Sequence, residues 1–132
     1  MYKGRIITDT AVAVDTNIPF VTVWNTNNNT RYNGTTNAVE FASAGYYDVA
    51  VNLNVTGVAT SPVAIQLFAD EQPVLEAIAE SDITATTGIQ TLTIVDTIKV
   101  DPSSFNEFAS LSVRSSDAIT VLAGVFTVEK VR

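Results

Sequence analysis

Residues 46–55 read Tyr46-Tyr47-Asp48-Val49-Ala50-Val51-Asn52-Leu53-Asn54-Val55. Taken alternately, they separate into two faces. Tyr47, Val49, Val51, Leu53 and Val55 form an apolar face, and Tyr46, Asp48, Ala50, Asn52 and Asn54 a mostly polar one. Side chains alternate across a β-strand, so this period of two predicts a strand with one side in a core and the other in water. The same period recurs on both sides of the segment. Val63, Ile65 and Leu67 mark one strand, and Leu111 and Val113 another. From Ile89, the residues Leu92, Ile94, Ile98 and Val100 lie opposite Thr91, Thr93, Thr97 and Lys99. Leu75, Ile78 and Ala79 have helical spacing, but Leu75-Ala77-Ala79 also alternates, and Val74–Ser81 is read as strand.

Composition agrees with an all-β domain. Of 132 residues, 18 are valine, 18 threonine and 10 isoleucine, and such side chains suit a pleated sheet better than a helix. Turn residues divide the strands at Asn27-Asn28-Asn29, Asn33-Gly34, Gly57 to Pro62, Thr86-Thr87-Gly88, Asp101-Pro102-Ser103 and Ser115-Ser116-Asp117. Short strands at this spacing predict a sandwich or barrel. No internal repeat or linker interrupts the chain, so residues 1–132 are read as one domain.

Several function classes are excluded or disfavoured at once. The chain has no cysteine, which removes disulfides, thiolate metal sites and cysteine nucleophiles. It has no histidine, which removes the usual general base and the commonest metal ligand. Its net charge of −7 leaves no basic footprint for nucleic acid or an anionic membrane. No catalytic site and no cofactor are expected. Lys3 and Arg5 are followed by Thr8, Asp9 and Thr10 rather than by an apolar run, so no secretory signal is read.

The last apolar run, residues 119–128, reads Ile-Thr-Val-Leu-Ala-Gly-Val-Phe-Thr-Val. Strict alternation puts Ile119, Val121, Ala123 and Val125 on one face and Leu122, Phe126 and Val128 on the other. A strand with one wet face is not apolar on both. Either loops of its own domain cover the second face, or a neighbouring subunit does; the second reading is preferred because a small sandwich has few ways to cover both.

The segment Phe41-Ala42-Ser43-Ala44-Gly45-Tyr46-Tyr47-Asp48-Val49 resembles the signature of complement C1q-like and tumour-necrosis-factor-like jelly rolls, in which a phenylalanine precedes a glycine–any–tyrosine strand. Pro19-Phe20 with Asn25, and Ala123-Gly124-Val125-Phe126, resemble the early and closing strands of that family. The resemblance spans residues 18–130 and implies an all-β, antiparallel jelly-roll sandwich of about ten strands that assembles as a homotrimer. It makes Tyr46, Tyr47, Leu122, Phe126 and Val128 the candidate trimer-interface residues. No Gly-X-Y stalk is present. The opening Met1–Thr8 and the closing Val125–Val131 are similar to small virion structural proteins of tailed bacteriophages.

Other constellations read more simply. Asp70, Glu71, Glu76, Glu80 and Asp82 lack a calcium-loop pattern and are read as a solvated face. Ser81, Ser103 and Ser104 have no base and are read as turn residues. The Asn-X-Thr triplets at Asn28, Asn33 and Asn54 are read as polar loop and strand residues. Trp24 and Tyr32 flank the Asn-rich loop and are the candidate ligand-facing rings; packing is the commoner use of such rings. Lys3, Arg5, Lys130 and Arg132 are four of the seven basic residues, and neighbouring terminal strands would gather them into a basic foot that docks on an acidic capsid surface.

The expectation is therefore a non-enzymatic homotrimer, made in the bacterial cytoplasm and placed in a phage virion as a capsid decoration or head-fibre protein. Its partners would be itself and the major capsid protein or another virion protein, without nucleic acid or membrane. The alternative is a trimeric receptor- or carbohydrate-binding module, a fibre tip or bacterial surface adhesin.

Overall fold

The structure, a computed structural model, describes residues 1–26, 30–57, 63–70, 72–80, 89–100 and 109–131. Eleven strands fall within these residues: β1 (Tyr2–Ile6), β2 (Thr10–Val12), β3 (Val21–Asn25), β4 (Thr30–Asn33), β5 (Ala38–Phe41), β6 (Gly45–Gly57), β7 (Ala64–Ala69), β8 (Gln72–Glu80), β9 (Gln90–Val100), β10 (Ala109–Ser115) and β11 (Ile119–Lys130). They form two antiparallel sheets. One runs β3-β1-β11-β6-β9, with β2 also paired to β11; the other runs β4-β5-β10-β7-β8. From β4 onward the chain crosses repeatedly between the sheets, which is jelly-roll topology. The strand expected over Val74–Ser81 is present as β8.

The alternation in β6 decides which side of its sheet is wet. Tyr47, Val49, Val51, Leu53 and Val55 are buried, and on β9 they are joined by Leu92, Ile94, Ile98 and Val100. The facing sheet contributes Val39, Phe41, Ile65, Leu67, Leu111 and Val113. Aromatic rings close one end of this core. Phe41 and Tyr47 meet at 4.6 Å between centroids, Phe20 and Phe126 at 5.1 Å, and Tyr2 meets Phe126 edge-on at 6.0 Å. Offset and edge contacts of this kind add about 0.5–1.5 kcal/mol per pair beyond area burial. Gly4 leaves room for them, because a Cβ there would lie 2.5 Å from the Tyr2 hydroxyl and 2.9 Å from the Phe20 Cβ.

Strand β11 corrects the expectation of two apolar faces. The pairing with β6 shifts between Val121 and Ala123, so Val121 faces Val55 while Ala123 already faces Asn54. This bulge inserts one residue and reverses the phase of everything after it. Ile119, Val121, Gly124, Phe126 and Val128 thus share the buried face, and Thr120, Val125 and Thr127 the outer one. Counting by twos assigned the two halves of one apolar face to opposite sides. The same correction applies to the candidate interface. Tyr47, Phe126 and Val128 are wholly buried in their own protomer and have no surface to offer a second chain. Of the five, Tyr46 (39% exposed) and the half-buried Leu122 reach the outside.

Candidate functional site

The outer face of the β3-β1-β11-β6-β9 sheet is a regular surface whose rows are fixed by strand register. One row runs Trp24, Lys3, Thr127, Ala50, Val95. The next runs Val21, Arg5, Val125, Asn52, Thr93. On one flank Glu129, Asp48 and Thr97 follow, and the Thr97 hydroxyl donates to Asp48 Oδ1 at 2.6 Å. On the other, the Thr91 hydroxyl donates to Asn54 Oδ1 at 2.8 Å. The centre of the face therefore carries short side chains, between polar pairs that are already satisfied. Charge divides across it: Lys3 and Arg5 stand on β1, and Asp48 and Glu129 on β6 and β11. A hollow of about 570 Å³ opens on the acidic half, among Met1, Asp48, Ala50, Val95, Asp96, Thr97, Thr127 and Glu129. Among the described residues, no three acidic, histidine or cysteine side chains are grouped to hold a metal ion.

Exposed apolar side chains border this face on two sides. Val95 is 77% exposed on the face, and Leu75 on β8 is 78% exposed at the same side of the sandwich, with Ile78 half-exposed nearby in sequence. On the opposite side β3 exposes all five of its residues, including Val21, Val23 and Trp24.

The two candidate ligand rings separate in role. Tyr32 packs its ring flat on Tyr2, 5.8 Å between centroids and 5° between planes. Its hydroxyl accepts from the Phe20 amide at 3.1 Å and donates to Asn37 Oδ1 at 3.1 Å. Asn37 can present that oxygen because it holds a left-handed backbone (φ 56°), which asparagine tolerates better than most residues. Burial pushes the Tyr32 pKa up to about 12; the nearby Tyr2 adds to the rise, and the Phe20 amide opposes it. Burial also raises the Tyr2 pKa, offset in part by the Thr22 side chain, and the Tyr2 hydroxyl makes no hydrogen bond of ordinary geometry. Tyr32 thus ties β4 to the strands below it. Trp24 is 46% exposed, with the Lys3 ammonium 4.8 Å from its ring centroid. The loop between them, residues 27–29, lies outside the described residues, as do residues 81–88.

Of the four terminal basic residues, the three within the described residues divide between two places. Lys3 and Arg5 share the outer face. Lys130 instead reaches past the end of the sheet and donates to the Ser43 hydroxyl at 2.9 Å. Lys3 pairs with Thr127, so Lys130 lies three residues further along β11, roughly 10 Å away along the strand. Arg132, Glu71, Asp82, Ser81, Ser103 and Ser104 are outside the described residues. The sequence reading missed Ala50, Val95 and Thr127 as a surface. Their signal was the small, uncharged middle of faces otherwise marked by Asp, Asn and Lys.

No protein-family model matches the sequence, and no curated protein is significantly similar to it. Solved structures do share its fold. The Eiger TNF of S. frugiperda superposes with a TM-score of 0.75 at 10% identity, covering 99% of this chain and 93% of that one. Murine APRIL superposes with a TM-score of 0.67 at 7% identity, covering 96% and 98% of the two chains in the pH 5.0 structure. The chain thus has the TNF-like jelly-roll fold, at identities that speak to fold alone.

Proposed function

We propose that this chain is a non-enzymatic structural protein of a tailed-phage virion, a homotrimeric capsid decoration or head-fibre protein. The observation that carries the self-association is the outer sheet face. Its centre (Ala50, Val95, Val125, Thr127) is short and largely uncharged, so another backbone can approach closely. The exposed Leu75 and Ile78 of β8 belong to the other sheet, beyond the β9 edge of this face. A contact between two different surfaces is heterologous, and a threefold rotation closes it without leaving either surface in water. The virion role is supported by the likeness of the chain's two ends to phage structural proteins and by a composition without histidine or cysteine. In this reading Lys3 and Arg5, at the β1 end of that face, supply the positive charge that meets an acidic capsid.

The binding-module alternative would use Trp24, since Tyr32 is committed to packing. Quantitative peptide mass spectrometry of purified virions separates the two. A decoration protein is present in hundreds of copies per particle, in proportion to the major capsid protein. Absence from virions overturns the virion reading. A few copies per particle, with binding of the isolated protein to host cells, favours the tip.

A further inference from the structure

We infer that the open edge of β3 is a strand-addition site for an extended, acidic segment of a partner protein. Among the described residues, and apart from the three-residue β2, four strands end the two sheets: β3 and β9 in one, β4 and β8 in the other. An unpaired edge invites another chain, and proteins commonly guard it with charge or proline. Three of the four are guarded in this way. Strand β4 carries Arg31, ion-paired with Glu40 at 2.8 Å; β8 carries Pro73, Glu76 and Glu80; β9 carries Asp96 and Lys99. Strand β3 reads Val21-Thr22-Val23-Trp24-Asn25 and has neither. Its apolar side chains are nonetheless exposed, Val21 at 68%, Val23 at 44% and Trp24 at 46%.

Charge selects the occupant. Lys3 and Arg5 stand opposite Trp24 and Val21 on the adjacent strand, in a chain whose net charge is −7. The Lys3 ammonium leans over the Trp24 ring, one strand nearer the open edge than its own backbone. A strand added beside β3 would lie about 9–10 Å from β1, two strand spacings away, which lysine, arginine and glutamate side chains together can span. Backbone hydrogen bonds to β3 would give affinity, and carboxylates on the outer face of the added strand would meet Lys3 and Arg5. The shift in pairing between Lys3 and Gly4 leaves Val23 as the bulged residue and keeps the added strand short. The inference goes beyond the virion reading, and its test involves no particle, so the two fail separately.

Trp24 is the only tryptophan, so its emission reports on this edge. The probe is a short acetylated peptide in which glutamate alternates with valine. Controls replace its glutamates by lysine, or methylate alternate backbone nitrogens. The expected result is saturable binding of the glutamate probe, roughly tenfold or more weaker for each control. The double variant Lys3→Glu with Arg5→Glu should reverse the charge preference, and amide exchange at Val21 and Val23 should slow only with the binding probe. Equal affinity for the glutamate and lysine probes overturns the inference, as does undiminished binding of the methylated one or no saturable binding. Amide exchange at Val21 and Val23 that slows with rising protein concentration and no peptide also overturns it, by making a second copy the occupant of the edge.

Discussion

One hydroxyl at Tyr32 joins three parts of the chain, accepting from the Phe20 amide and donating to Asn37. Replacing it by phenylalanine leaves the Phe20 amide unpaired while keeping the stacked ring, and should cost about 1–3 kcal/mol in urea unfolding. The pH dependence has a definite sign. The folded pKa, about 12, lies above the ordinary value of 10.0, so the folded state holds the proton longer than the unfolded chain. This contribution is fully present below pH 10 and is lost as pH rises from 10 through 12. Urea midpoints of the parent and Tyr32→Phe proteins should therefore converge over that range. A constant gap from pH 8 to 12 would mean that Tyr32 titrates as it does unfolded.

Among the strands, β6 was legible from sequence because its alternation is unbroken and burial follows it residue by residue; β9 was legible despite one interruption, where the exposed Val95 and the inward-phased Asp96 exchange polarity. The apolar faces of β7 and β10 were legible for the same reason. Strand β11 was not, since its bulge falls within Val121-Leu122-Ala123, where every residue is apolar and none marks the change of phase. The Lys3–Trp24 contact was also hidden, because it depends on the pairing of β1 with β3 across a long sequence gap. The bulge gives a sharp test. Deleting Leu122 restores regular alternation and keeps Ile119, Val121, Phe126 and Val128 inside, so the protein should still fold, losing less than about 2 kcal/mol. Deleting Val125, also on the outer side, throws either Phe126 and Val128 or Ile119 and Val121 outward. Each displaced side chain forfeits roughly 1.5–3 kcal/mol, a large share of a typical domain's stability. Comparable unfolding midpoints for the two deletions would contradict the register described for β11.

For the whole molecule, the two sheets enclose the aromatic and aliphatic core, and what remains for function is surface. The sheet face centred on Ala50 and Val95 is the surface assigned to self-association. Val95→Arg tests that assignment without touching the core, because Val95 is 77% exposed in the protomer. Its unfolding free energy, measured where the protein is monomeric, should change by no more than about 0.5 kcal/mol. Its assembly should be lost. An unchanged oligomer would move the interface elsewhere on the protomer. The most direct test of self-association is the solution mass of the unaltered chain, by light scattering across a range of concentrations. Three chain masses, independent of concentration in the micromolar range, is the predicted result; a single chain mass throughout would contradict it.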